Sequence, residues 1–547
     1  MIPLPETHAF SEACHRLVTL KSILKSISQE LPFPEARVQG RWLFGILIVA
    51  TGLLAFRSID DLDYGIHIGT GRWILHNGTV PTTDPFTWSI PEHLYVAYHW
   101  GFQVIAAALY EKFSHLGPVL LRFGIVLLTA VALARSLMIR KVDVVVGGAC
   151  ALLALVAGEL RFAVRPELFT YLFLALLILV LDRWREGSTR ALMMIPLIFV
   201  GWINTHIYIL GFVVLAAHLA EQMYLKRIDR KFLIVFAVTC AALFVNPYGI
   251  DAVMEPIRLF TRMNKQNLFA QHITELASPL ALDEDPRRNA GQTVQFGAWW
   301  VLLVLAVPAS IALYRAKRFA DLLVLVLFGA LSTVAVRNIT LFTVVALPSV
   351  AYGLTLFLTT RRVWWEIAQR FVLSGVCVAG LLLCLRVSNG AWYAMQRRPV
   401  HMAPRIERSA LALDAAEFVE RVDLKGKGFN NFNVGGSLIL GAPSHPIYID
   451  GRNEVTGEQF FRSYLEILEP SRFETFLQAF SIEYVVLSHE NMMHLVRYLL
   501  STNKWKVAYY DSVAIVFVRR DGPNGYLSEM PLPAPIRGEE ERWAYLK

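Results

Sequence analysis

Three carboxylates in close succession, Asp60, Asp61 and Asp63, follow the first long apolar run of the chain. At the end of a membrane helix such groups are expensive to dehydrate. In their D-x-D spacing, Asp61 and Asp63 can converge on a divalent cation such as Mg2+ or Mn2+ through hard oxygen ligands. Alternatively, one can serve as a general base while the other orients a partner. If a helix continues from there, His67 stands one turn beyond Asp63 on the same face. A plainer reading of the same residues is a capped helix start beside a surface histidine, and spacing alone does not choose between them. Downstream, Trp73, Ile74 and Leu75 suggest an amphipathic helix closed by His76-Asn77-Gly78, after which Pro81, Asp84-Pro85 and Pro91 punctuate an ordered loop.

The elements that must position these residues are set by composition. Of 547 residues 55% are hydrophobic and 18% charged, with mean hydropathy +0.45, whereas soluble domains carry roughly a quarter charged residues. Apolar stretches long enough for the roughly 17–25 residues of a membrane helix recur from Trp42 to Leu385. Beyond Ser388 the runs shrink to strand length and charges intersperse. The expected organisation is therefore a cytoplasmic N-terminal segment over 1–41, a multi-span membrane domain over 42–387, and a soluble α/β domain over 388–547 ending in a flexible Pro-rich extension, Pro523 to Pro535. A formal charge of +8 is gathered in short loops rather than one patch, which argues for topology and against nucleic acid. Cys150, Cys240, Cys377 and Cys384 lie in apolar runs and Cys14 near the start, so the tail has no cysteine for a disulfide or thiolate site. No cleavable signal peptide is legible, and the first span is expected to act as an uncleaved anchor.

Basic loops orient the chain. Those around Arg140 and Lys141, Arg183 and Arg185, Arg227 and Lys231, Arg315 and Arg318, and Arg361 and Arg362 belong in the cytoplasm by the positive-inside rule. The apolar segments between them give about eleven spans, a first outer loop over 57–98, a long outer loop over 247–295, and an extracytoplasmic tail. Segment 99–115 is short and interrupted by Glu111, Lys112 and His115, so it reads as an interfacial piece packed on the next span. If it crossed fully, the parity would fail. With this parity five polar clusters share one face: Asp60 to His67, Arg161 to Glu167, Asn204 to His206, Asn246 to Glu275, and Arg337 with Asn338. Each alone can be a snorkelling or interfacial cluster; together they suggest one polar cavity opening outward. In the tail, Gly435-Gly436 lacks a phosphate-loop lysine and reads as a tight turn, while Asp450 and Arg452 form its most polar spot, either a ligand contact or an internal ion pair.

The aspartate pair after the first span, the following histidine, the spacing of Gly71 and Gly78 and the stretch Val80-Pro81-Thr82-Thr83-Asp84-Pro85-Phe86 resemble polytopic glycosyltransferases of the GT-C superfamily. The relatives in view are protein mannosyltransferases and bacterial enzymes that use polyprenyl-phosphate sugars. Closer in texture are uncharacterised bacterial membrane proteins sharing Arg165-Pro166-Glu167, Trp202-Ile203-Asn204-Thr205-His206, Asn246-Pro247-Tyr248-Gly249, Asn433-Val434-Gly435-Gly436 and Tyr448-Ile449-Asp450-Gly451-Arg452. The GT-C resemblance implies an inner-membrane enzyme that moves a sugar from a polyprenyl-phosphate-linked donor to a glycan, lipid or protein acceptor at the outer face. It implies a catalytic carboxylate at Asp61 or Asp63, with Asp61 favoured by its nearness to the membrane. Arg165 and Arg337 are the expected phosphate ligands, since a planar guanidinium matches phosphate. His67, Asn204, His206 and Glu275 are further substrate-binding candidates. A non-catalytic part in envelope polysaccharide or glycolipid assembly is the main alternative reading. A transporter ranks last, because no internal repeat is legible.

Overall fold

The structure, a computed structural model, describes residues 34–91, 93–262, 268–269, 274–280, 292–359 and 362–531. Cys14, most of the N-terminal segment, much of the long loop and the end of the Pro-rich extension lie outside these.

The chain opens with helix α1 (Pro34–Ala55), followed by α2 (Tyr64–Asn77) and α3 (Trp100–Phe113). Helix α2 stops where the sequence placed its end, at Gly78 with φ +67°, a conformation that glycine adopts without strain. At 14 residues each, α2 and α3 reach only about 21 Å, less than the roughly 30 Å hydrocarbon core. They pack on one another, and α3 also rests on the next helix.

The bundle continues with α4 (Leu116–Ile139), α5 (Val144–Gly158), α6 (Glu167–Arg185), α7 (Met194–Ile203), α8 (Ile209–Tyr224) and α9 (Arg230–Ala242). Helix α10 (Ile250–Arg262) precedes α11 (Thr293–Arg315), α12 (Phe319–Val334), α13 (Asn338–Thr359) and α14 (Arg362–Ser388). Asp143 caps α5 by accepting from the Val145 and Val146 N–H groups, and Asp229 caps α9 through Lys231 N–H. A helix stands at each apolar stretch of the sequence. Five described helices are long and apolar enough to cross a membrane. Helices α5, α11 and α13 pack mutually, α4 lies on α6, and α14 lies on α1.

Several basic-loop residues have a second role that charge counting misses. Arg140 bonds Asp182 (2.9 Å) and pairs with Asp321 (3.0 Å), Arg185 reaches Asp321 (3.2 Å) and Glu221 (2.7 Å), and Arg318 bonds Asp321 (2.5 Å). These pairs are largely buried and tie together α4, α6, α8 and α12 at the end of the bundle away from the tail.

The tail follows α15 (Ala391–Met395) with α16 (Leu413–Val422), β1 (Lys427–Asn430), α17 (Gly435–Gly441), α18 (Asn453–Ile467), α19 (Pro470–Ala479), β2 (Ile482–Ser488), α20 (His489–Ser501), β3 (Trp505–Tyr510) and β4 (Ala514–Arg519). The sheet runs β1-β2-β4-β3, parallel at β1–β2 and antiparallel elsewhere. Apolar side chains cover both of its faces, as the continuous burial of β2 and β4 requires.

One expectation for the tail is corrected, and one short apolar run of strand-like pattern finds its partner outside the sheet. Segment 446–450 is not a strand of this sheet: its backbone is taken up by the first loop, through Ile447 N–H to Phe86 O (2.9 Å) and Trp88 N–H to Ile447 O (2.9 Å), and by the Asn430 side chain. Gly435-Gly436 is not a tight turn but the start of α17, which lies against α2. A Cβ on Gly65 would collide with the Gly436 carbonyl, so the two backbones meet only because neither residue carries a side chain.

Candidate active site

The carboxylate loop leaves α1 in a direction set by Arg122 of α4. This buried guanidinium donates to Ala55 O (2.7 Å) and to the carbonyls of Arg57 and Ser58, satisfying the C-terminal end of α1. Asp60 then turns aside to Arg57 (3.3 Å) and Arg398 (2.9 Å). Asp61 and Asp63 turn the other way. Asp61 Oδ1 accepts from Asp63 N–H (2.9 Å) and from Arg165 Nη2 (2.8 Å), and Arg165 Nε donates to Asp61 Oδ2. This is a two-pronged clamp on a carboxylate that is only 3% exposed.

The same guanidinium faces two more carboxylates, Asp63 at 3.1 Å and Glu275 at 3.1 Å. Glu275 also accepts from Arg161, which grips Glu167 with its other prongs, one of them at 2.9 Å. Pro166 stiffens the entry to α6 between the two arginines and Glu167. The Glu275 segment is stitched to the turn before α13 by Val336 N–H to Ala277 O (3.0 Å) and Arg337 N–H to Glu275 O (3.2 Å). Against the cost of burial, Arg161 and Arg165 hold the Glu275 carboxyl below its usual range.

Asp63 differs from Asp61. Its side chain is 33% exposed where the first loop, the Glu275 segment and Gly451 of the tail meet, a junction termed the recess, and an added Cβ on Gly451 would lie 2.6 Å from Asp63 Oδ1. Burial, aided by the negative charges of Asp61 and Glu275 and opposed by Arg165, raises its carboxyl to about 7. It is the one carboxylate of the D-x-D pair that both opens to the recess and changes charge near neutrality.

Beside it three imidazoles gather. His67 on α2 meets His99 edge to face at 5.8 Å, and His99 stacks on His206 at 5.2 Å with ring planes 10° apart. Burial keeps all three neutral at pH 7, taking His67 and His206 to about 4 and His99 well below its ordinary value. His206 Nδ1 shares a hydrogen bond with Thr170 Oγ1 (2.7 Å), itself fixed by Trp202 Nε1 (2.9 Å). His67 Nδ1 and His99 Nε2 are buried with no hydrogen-bond partner. Arg337 is tied to the Glu275 segment through its backbone N–H to Glu275 O (3.2 Å), and its charge acts on the Glu275 carboxyl and on His206.

The structure thus brings Asp61, Asp63, His67, Arg165, His206, Glu275 and Arg337 to one place and leaves Asn204 out. Asn204 is a brace: its Oδ1 accepts from Trp100 Nε1 (3.0 Å) and its Nδ2 donates to Val200 O (2.8 Å) and Val245 O (2.8 Å). Asp450 and Arg452 adjoin the recess but bind each other. Arg452 Nε donates to Asp450 Oδ1 (2.9 Å), its Nη1 pairs with Asp84 of the first loop (2.7 Å), and its guanidinium lies over Phe86 and Tyr95. Arg165 is likewise committed, since all three of its nitrogens face carboxylate oxygens rather than a space for phosphate. The charge of the D-x-D pair is met by a guanidinium, since Arg165 pairs with both Asp61 and Asp63. Among the described residues no group of three His, Cys, Asp or Glu side chains is set to hold a metal.

An apolar groove runs between α1, α4, α5, α6 and α13, lined by Leu47, Ile125, Leu133, Phe162, Tyr171 and Val344 among others. Its upper end reaches the charged cluster: Phe162 O accepts from Arg57 (3.1 Å) and Tyr171 donates to Glu167 (3.3 Å).

No protein-family model matches the sequence, and no curated protein matches it. Solved structures do match in three dimensions. ArnT from Cupriavidus metallidurans bound to undecaprenyl phosphate is 13% identical with a TM-score of 0.50, over 87% of this chain and 97% of that one. The oligosaccharyltransferase AglB from Archaeoglobus fulgidus, in complex with an inhibitory peptide and a dolichol-phosphate, is 12% identical with a TM-score of 0.52, over 85% of this chain and 72% of that one. ArnT and AglB are GT-C proteins. The chain shares the fold of these two proteins.

Within this fold, sequence reasoning missed His99, Arg161 and Glu167 as members of the site and undervalued Gly451. Arg161 and Glu167 flank Arg165 and were visible as part of a polar cluster. His99 carried no signal, because it lies in a segment whose hydropathy suggested only an interfacial helix.

Proposed function

We propose that this chain is a membrane glycosyltransferase that moves a sugar from a polyprenyl-phosphate-linked donor to a glycan, lipid or protein acceptor. In this reading about eleven helices span the inner membrane, with the N-terminus cytoplasmic and the recess and tail outside. One observation carries it: a near-neutral carboxylate, Asp63, lies in a recessed polar cluster that meets the end of an apolar groove within the bundle. A lipid-linked donor needs both a greasy path for its chain and a polar head site, and ArnT and AglB with bound polyprenyl phosphates supply fold-level support.

Asp63 accepts the proton of the acceptor hydroxyl as its oxygen attacks the anomeric carbon. The bond from that carbon to the phosphate oxygen breaks, and polyprenyl phosphate leaves with the electron pair. Asp61, locked by Arg165, holds Asp63 through its backbone N–H and keeps its field negative. Arg337, tied to the Glu275 segment, is the guanidinium assigned to the departing phosphate. The neutral imidazoles offer uncharged polar contacts of the kind that sugar hydroxyls use.

The test compares Asp61→Asn and Asp63→Asn in cells, following glycan or glycolipid products at matched protein level. Loss of product in Asp63→Asn is expected, by about 10²–10⁴-fold for a general base. Full product from both variants would sink the proposal.

A further inference from the structure

Resting on the reading of the recess as a transfer site, we propose that Arg165 is the resident cation of the D-x-D pair, filling by its guanidinium the place that a divalent ion would take. Three observations carry this. First, among the described residues Arg165 alone bridges Asp61 and Asp63, donating to Asp61 through Nε and Nη2 (the latter at 2.8 Å) and standing 3.1 Å from Asp63. Second, its remaining Nη1 stands 3.1 Å from Glu275, so one guanidinium neutralises three carboxylates from two separate loops. Third, Pro166 and the bonds of Arg161 to Glu167 and Glu275 fix the position of Arg165 from behind, and the guanidinium is only 17% exposed.

The physical consequence concerns charge. Asp61, Asp63 and Glu275 would repel one another strongly in this recess without a cation between them. A divalent ion solves that problem with exchangeable charge, whereas a guanidinium solves it with a permanent one. Its planar fork also fixes the carboxylate angles, which a lysine ammonium cannot do. Removal of Arg165 leaves three neighbouring carboxylates with their counter-ion gone, and their mutual repulsion then favours uptake of a cation from solution. A competing ion in the wild-type protein must instead displace a two-pronged, buried ion pair.

The experiment is Mn2+ binding to the purified full-length protein in lipid nanodiscs, read by the loss of the free-ion electron paramagnetic resonance signal. Wild-type protein is expected to leave the Mn2+ signal unchanged. Arg165→Ala is expected to take up Mn2+ in proportion to protein, and the double variant Arg165→Ala with Asp61→Asn to lose that uptake. Arg165→Lys, which keeps the charge and the fold-stabilising bulk, should bind Mn2+ more weakly than Arg165→Ala; it stands in if the alanine variant fails to fold, uptake of Mn2+ above wild type then being the expected result. Mn2+ uptake by wild type that Asp61→Asn abolishes would overturn the assignment, as would folded Arg165 variants that bind no Mn2+. Because the readout is ion binding rather than sugar transfer, either result leaves the transferase reading to stand or fall on its own test.

Discussion

At the scale of single residues, the two aspartates of one short loop are driven to different roles by their neighbours. Asp61 is gripped on both oxygens and shut away, while Asp63 keeps one side open to the recess and has its carboxyl pushed up to about 7 by burial. Nearness to the membrane, which favoured Asp61, does not determine which carboxylate is available to a substrate. The sign of the pH effect follows. A base must be ionised to accept a proton, so transfer rates should rise with pH through an apparent value near 7. A pH–rate profile of the purified protein checks this, and an acid limb unchanged in Asp63→Glu and wild type alike down to pH about 4, the ordinary carboxylate range, would assign the base elsewhere.

At the scale of elements, the tail is built into the site through backbone contacts rather than hung beside it. Helix α17 meets α2 at Gly436 and Gly65, and Gly451 meets Asp63. Gly65→Val should therefore force these helices apart at a cost of about 1–3 kcal/mol, as overpacking does, seen as a lower thermal midpoint and a faster proteolysis of the tail. Arg452 ties the tail to the first loop through Asp450 and Asp84, both buried. Arg452→Ala strands two carboxylates, and breaking a buried pair this way costs roughly 3–5 kcal/mol; the expected outcome is poor yield of folded protein on size-exclusion chromatography. Normal yield with normal activity would show that the tail can detach from the loop without consequence.

Across the whole molecule, charges gather at both ends of the helical bundle, one set around the recess and one around Asp321. Asp321 serves Arg140, Arg185 and Arg318 at once, so Asp321→Ala should destabilise the packing of α4, α6, α8 and α12 by several kcal/mol, on the order of the loss for a buried pair, while leaving the recess geometry intact in any protein that folds. The proposed orientation is tested by Ser471→Cys, an exposed tail position, in a background without the five natural cysteines. An impermeant maleimide should label it in right-side-out vesicles, and labelling only after permeabilisation would invert the topology.

The sequence by itself determined the membrane character, the division between apolar bundle and mixed tail, and the end of α2 at Gly78. These follow from local chemistry: apolar run length, charge spacing and the conformational freedom of one glycine. It also marked the polar clusters whose members now share one recess. Only the tertiary structure decided what each member does there. Arg165 carries the same formal charge whether it meets a phosphate or three carboxylates, and a hydropathy pattern cannot say that Glu275, more than a hundred residues away, arrives at its side. The same holds for Asn204, polar in sequence but spent on Trp100 and two carbonyls, and for segment 446–450, whose strand-like pattern found its partner in a loop of the membrane domain instead of the sheet. Whether Asp63 titrates near neutrality is a matter of burial and of the charges around it, and these exist only once α1, α6, the long loop and the tail have met.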